Sequence, residues 1–318
     1  MILLIAGFIL TLLGASMLIY LAIGTIQLRK EKKEQETVTV PVSVPVSDQN
    51  SDISTKTVDV SVEFTDFPDS ILQTGIKIGN AQDIGARNEQ QDSFGISNME
   101  EDFVQNNGIL AIVADGMGGM SNGSQYSKLT VQTALQSFNN ENSEKDDETT
   151  LLRILKRVTD AVENSGLEGG GSTLVAVLIR EKLLHFISVG DSRIYLMRNG
   201  GLIQLNREHV YGRELDDMVA NGLKDAEEAA ADPQRAALTS FIGISSEMKV
   251  DRNIRPITLY SGDKIVLMSD GIYGFISEGE IKELLLQEPM PAAEAIRKAV
   301  IAKKSPYQDN LTIVILEI

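Results

Sequence analysis

"ILAIVADGMGGM", Ile109 to Met120, is the stretch on which the fold turns. Six apolar residues run into Asp115, and Gly116, Gly118 and Gly119 follow at once. Such a run bounded by glycines predicts a buried strand ending in a turn. The aspartate there has two readings. It starts the turn by bonding its own backbone, or it stands at a strand tip with bare backbone free to approach a ligand beside it. A single instance does not choose between them, so the question is whether the chain repeats the device.

It does so four more times. "LLHFISVGDSRIYLMRNGGLIQL" (183–205) delivers Asp191 at the end of a strand, then turns into a second strand and a hairpin at "RNGG". "DKIVLMSDGIYGFIS" (263–277) delivers Asp270 after the strand Ile265–Met268. In "SPYQDNLTIVILEI" (305–318) and "EQQDSFGIS" (89–97) the order inverts, with Asp309 and Asp92 just ahead of a strand. In an antiparallel sheet, arriving strands end on the edge from which leaving strands begin. Asp115, Asp191 and Asp270 are therefore expected to meet Asp92 and Asp309 at one sheet edge.

Five clustered carboxylates repel and raise one another's pKa. A hard divalent cation, and more than one, resolves that cost. Oxygen ligands, no cysteine and only two histidines favour Mg²⁺ or Mn²⁺ over zinc. Two such ions about 3.5–4 Å apart share a water, lower its pKa and aim it at phosphorus.

Composition bounds the rest. The 318 residues are 42% hydrophobic, enough for one large core. A formal net charge of −16 argues against nucleic acid as a partner, since phosphate neutralisation needs clustered Lys and Arg. The absence of cysteine removes disulfides, zinc–thiolate sites and thiol nucleophiles. Between Ile2 and Leu28 there is no charged side chain, and Arg29, Lys30, Lys32 and Lys33 follow. That length spans a bilayer, so residues 1–28 are expected to form a retained transmembrane anchor in contact with lipid. The positive-inside rule puts the remainder on the cytoplasmic side of the cell membrane, as a single-pass protein. Residues 29–70 hold the basic segment and a Val-Pro, Ser/Thr-rich linker, and residues 71–318 form the folded domain.

The segments "DIGARNEQQDSFG", "VADGMGG", "GGSTLVAVLI", "VGDSRIYLMRNGGLIQLNREH", "DPQRAALTSFIG", "LMSDGIYGFIS" and "DNLTIVIL" occur in that order from about Ile76 to the C-terminus. Together they resemble the motifs of the metal-dependent Ser/Thr protein phosphatases (PPM, or protein phosphatase 2C-like), in their bacterial form. The resemblance implies an α+β fold, a β-sandwich of two antiparallel sheets flanked by helices. It implies that Asp115 bridges two core metals, that the Gly116 carbonyl reaches the second, and that Asp270 and Asp309 complete the first. Asp191 with Asp270 resembles the site of a third, weaker ion. Asp92 would orient the metal waters, and Arg87 would grip the substrate phosphate, for which guanidinium supplies a planar fork. The bland reading of Arg87 is an ion pair with neighbouring acids. The implied activity is hydrolysis of phosphoserine and phosphothreonine in proteins by direct attack of water, with a membrane Ser/Thr kinase or its substrates as partners. A non-catalytic phosphoprotein-binding scaffold of the same fold and a small-molecule phosphomonoesterase are the alternatives.

Met120 and "EHV" (208–210) depart from the family pattern without removing a proposed ligand. "LEGGGSTLVAV" lacks the lysine of a phosphate loop and reads as a turn into a core strand. His185 reads as a core residue and His209 as a turn residue that could touch substrate. Arg193 is expected to hold its hairpin by an ion pair. Residues 207–238 are expected to form two short helices stopped at Gly222, a flap in the resembling family. Arg207, Arg213 and Arg235 there read as exposed charge or as contacts for an acidic substrate.

Overall fold

The structure is a computed structural model that describes residues 75–118, 122–140, 147–244 and 247–318. The expected anchor, the linker, Gly119 and Met120 lie outside the described residues. No helix among the described residues is long and apolar enough to cross a membrane.

Strict alternation of side chains along the strands builds three apolar layers. Along β3 (Ile109–Gly118), Leu110, Ile112 and Ala114 face helices, whereas Ala111 and Val113 face a second sheet. Along β12 (Leu311–Glu317), Leu311, Ile313 and Ile315 face helices, and Val314 and Leu316 face inward. Period-2 patterning with both faces apolar places each strand in a sheet covered on both sides.

Two antiparallel sheets result. One has the order β1 (Lys77–Asp83), β12, β11 (Lys264–Met268), β7 (Arg193–Arg198), β8 (Gly201–Gln204). The other runs β10 (Ile257–Thr258), β6 (Leu183–Val189), β5 (Leu174–Arg180), β3, β2 (Asp92–Ile96), with β4 (Gly170–Ser172) pairing β3 and β9 (Asp251–Arg252) pairing β6. The expected hairpin is present: Asn199 and Gly200 both adopt positive φ between β7 and β8, the conformation a two-residue turn of this kind requires.

On the outer face of the second sheet lie α2 (Asn122–Asn139) and α3 (Asp147–Glu163), with α1 (Glu101–Asn107) leading into β3. The outer face of the first sheet carries α6 (Asp270–Tyr273), α7 (Glu278–Leu284) and α8 (Pro289–Ala302). Ser277 and Glu280 close a capping box that starts α7. Gly79 lets β1 approach the start of α8, since a Cβ there would sit 2.1 Å from the Pro289 carbonyl. The two expected short helices are α4 (Tyr211–Ala220) and α5 (Ala226–Ala230), with Gly222 at φ +69° just after the first.

Two expectations are corrected. Asp115 is not the last residue of its strand. β3 continues to Gly118 and changes partner, from β2 and β5 to β4, at Gly116. Glycine makes this possible: a Cβ on Gly116 would lie 2.0 Å from the Gly123 carbonyl oxygen. The aspartates also do not share one sheet edge. Asp92 and Asp115 belong to the second sheet, Asp270 and Asp309 flank strands of the first, and Asp191 lies in the connection between the two. They gather at one end of the sandwich.

Candidate metal centre

Asp92 and Asp115 face each other in register across β2 and β3. Asp92 is 3% exposed. Its Oδ2 accepts hydrogen bonds from Ser269 Oγ (2.7 Å) and Thr312 Oγ1 (2.8 Å), while its Oδ1 is buried with no partner among the described residues. Burial pushes its carboxyl up to about 7, the two hydroxyls oppose the shift, and Asp270 and Asp309 add to it.

Asp115 is held by its backbone. Its N–H donates to Thr173 Oγ1 (2.8 Å), and its carbonyl accepts from the Thr173 N–H (2.8 Å). Burial, then the charges of Asp92, Asp270, Asp191 and Asp309, hold its carboxyl well above the usual range. Asp270 opens α6, its Oδ1 also buried without a partner. Its carboxyl is pushed up to about 6 by burial and Asp309, against a hydrogen bond shared with Asp115 and the charge of Arg87. Burial and Asp270 raise Asp191 to about 7. Asp115, Asp191 and Asp270 keep part of their surface open, which marks the mouth of the site.

Asp309 differs from the rest. Arg87 Nη2 lies 2.6 Å from its Oδ2, in a pair exposed on both sides, so the bland reading of Arg87 holds as far as this contact goes. The Ala86 N–H donates to the Gln308 carbonyl, which ties the Arg87 loop to the segment before β12.

Around Asp191 the chain is fixed from several directions. Gly190 has φ +100° and donates its N–H to His209 Nδ1 (3.1 Å). His209 Nδ1 is thereby engaged in positioning this turn. Tyr273 donates its hydroxyl to the Asp191 carbonyl (3.0 Å), and its ring carries the Arg193 guanidinium at 3.7 Å. Arg193 makes the expected ion pair, with buried Glu208 (2.8 Å). Glu208 also accepts from Arg213 Nε (2.9 Å) on α4. Burial alone would raise its carboxyl, but Arg213 and Arg193 hold it below the usual range. Arg207 and Arg235 pair with Asp217 and Asp216, so the flap cations are largely self-compensated. His185 is a core residue, 8% exposed on β6. Sequence reasoning missed Ser269, Thr312 and the pairing of Glu208 with Arg193 and Arg213.

Among the described residues, no three Asp, Glu or His side chains already meet at ion-ligand distance. The donor set still fits a hard divalent cation. It offers oxygen only, and two buried carboxylate oxygens have no hydrogen-bond partner among the described residues. An open cavity of about 480 Å³ lined by Met197, Arg198, Tyr260 and Leu286 lies at the opposite end of the first sheet and holds no such cluster.

A β-sandwich that gathers five aspartates from both sheets, with the exposed Arg87 beside them, offers the donor set that a carboxylate-based metal centre uses. The particular family follows from comparison. A model described as protein phosphatase 2C matches residues 84–298. The serine/threonine phosphatase stp of Listeria monocytogenes is 27% identical over 241 residues, covering 73% of this chain and 91% of that protein. The solved serine/threonine phosphatase of S. agalactiae superposes with a TM-score of 0.64 at 26% identity, covering 76% of this chain and 99% of that one. The catalytic domain of PstP in complex with two manganese ions superposes at 0.59 and 26% identity, over 76% of this chain and 97% of that one. The chain belongs to the protein phosphatase 2C family and is a protein-serine/threonine phosphatase, with the metal dependence that goes with the family.

Proposed function

We propose that the chain hydrolyses phosphoserine and phosphothreonine monoesters in proteins, using Mn²⁺ or Mg²⁺, at the cytoplasmic face of a membrane. The observation that carries this reading is the convergence of Asp92, Asp115, Asp191 and Asp270, carboxylates of both sheets close enough to raise one another, in a protein of this family. Asp115, the Gly116 carbonyl, Asp270 and Asp309 would hold two core ions, and Asp191 with Asp270 a third, weaker one. When bound, the ions supply Lewis-acid activation of water and neutralise phosphoryl charge.

The chain's own groups do the rest. Arg87 is exposed and already holds a carboxylate, so its fork suits two phosphoryl oxygens of a substrate that competes with Asp309. Asp92 Oδ1, free of any protein donor, accepts a hydrogen bond from the attacking water and orients it. The uncharged stretch Ile2–Leu28 and the basic residues after it support an anchor in the cell membrane with this domain inside. Phosphorylated proteins at that surface, and a membrane Ser/Thr kinase, are the partners this placement favours.

The test is phosphate release by the full chain from a phosphothreonine peptide and from glucose 6-phosphate, with Mn²⁺, Mg²⁺ or chelator. Metal-dependent release from the peptide above that from the sugar phosphate is expected. Preference for the sugar phosphate would indicate a small-molecule phosphomonoesterase. Metal binding without any turnover would indicate a phosphoprotein-binding scaffold.

A further inference from the structure

Two hydroxyls from the first sheet hold Asp92 of the second. Thr312 Oγ1 lies 2.8 Å from Asp92 Oδ2 and 2.9 Å from Gln82 Nε2. Ser269 Oγ lies 2.7 Å from the same Oδ2 and 3.0 Å from the Thr312 backbone nitrogen. Ser269 and Thr312 are fully buried, and Asp92 nearly so.

The polarity of this network is determined by its ends. A backbone N–H only donates, so it occupies a lone pair of Ser269. Gln82 Nε2 also contacts the Asp92 carbonyl oxygen at 3.2 Å, and a carbonyl only accepts, so the amide nitrogen belongs on that side and donates to Thr312 as well. The Asp92 carboxylate only accepts, so both hydroxyls direct their protons at its Oδ2. Rotation of the carboxylate would break two buried hydrogen bonds at once. Oδ1 is left as the oxygen with no donor among the described residues.

We propose that Ser269 and Thr312 are positioning residues that hold Asp92 by Oδ2 so that Oδ1 alone faces the reacting water. The proposal rests on the reading of Asp92 as the water-orienting carboxylate. The same hydrogen bonds also tie the two sheets together, and the test must separate that role from positioning.

Thr312→Val and Ser269→Ala remove the hydroxyls, and Thr312→Ser retains one. Each is made in the full chain alone and with Asp92→Asn, and kcat and KM for a phosphothreonine peptide are measured with Mn²⁺. Thr312→Val is expected to lower kcat roughly tenfold at little change in KM, and Thr312→Ser to restore it. In the Asp92→Asn background Thr312→Val is expected to have no further effect on kcat. In metal-free protein, urea unfolding of the same set is expected to show Asp92 and Thr312 coupled by about tenfold in the unfolding constant. Should Thr312→Val fail to fold, Ser269→Ala carries the same comparison. Coupling in unfolding with kcat intact, or a kcat loss undiminished in Asp92→Asn, would show that the hydroxyls only tie the sheets and would overturn the proposal. If Asp92→Asn alone leaves kcat intact, the reading of Asp92 falls and takes the proposal with it, a result distinct from the other two.

Discussion

Strand β11 has an aspartate near each end, and the two are treated in opposite ways. Asp263, just before the strand, receives Arg198 through Nε at 2.9 Å and Nη2 at 2.6 Å, and the Tyr260 N–H at 2.7 Å. Burial would raise its carboxyl, but Arg198 holds it below the usual range. Asp270, just after the strand, has Asp309 and Asp115 for neighbours and is raised to about 6. Residue type and strand are alike, and the difference lies in charge compensation. Where the chain supplies its own cation, the carboxylate is structural. Where it gathers more carboxylates instead, the cation has to come from outside.

The largest expected effect separates the two ends by sign. Asp115→Asn or Asp270→Asn should lower kcat by roughly a thousandfold or more, on the order of 4 kcal/mol of transition-state stabilisation. The same substitutions should raise the melting temperature of the metal-free protein, because each removes a buried like charge. Activity assays and calorimetric scans with chelator check both. If Asp270→Asn destabilises the metal-free protein as Asp263→Asn does, the comparison fails.

Next in size is Arg87→Ala, expected to cost about 10–100-fold in kcat/KM through KM, the worth of a charge-assisted bond to phosphate. Mn²⁺ affinity should not fall, since the substitution frees Asp309 from its 2.6 Å ion pair. Steady-state kinetics beside metal titration separates the two effects.

The carboxylate end also predicts a pH dependence. Asp92 is raised from 3.8 to about 7, so the folded, metal-free protein holds a proton that the unfolded chain has lost across that window. Stability is therefore fullest below the ordinary value and falls as pH rises toward 7, by at most about 1.4 kcal/mol per unit for each proton. Urea midpoints at pH 4.5 and 7.5 should show the fall, and saturating Mn²⁺ should remove it. At the other end, Asp263→Asn should leave kcat intact and lower stability by about 1–2 kcal/mol, the smallest effect of the set.

The five aspartates were legible because each borders an apolar run beside glycine or a turn residue, a local signal. What holds them was not. Ser269 and Thr312 reach Asp92 across 177 and 220 residues of chain, and a buried serine or threonine leaves no mark in periodicity. Glu208 read as a departure from a motif, yet it is the shared partner of Arg193 and Arg213. The course of β3 past Asp115 was hidden because glycine is counted against a strand, although here close backbone packing requires it. The core strands were readable as apolar runs bounded by turn residues, whereas the assignment of strands to two sheets depends on pairings no single stretch contains.

The most direct test is a calorimetric titration of the full chain with Mn²⁺, repeated on Asp115→Asn. The account predicts saturable binding of two ions with a weaker third, and loss of the tight phase in the variant. Absence of Mn²⁺ binding to the folded chain, or binding indifferent to Asp115→Asn, would contradict the claim that these carboxylates are a metal centre.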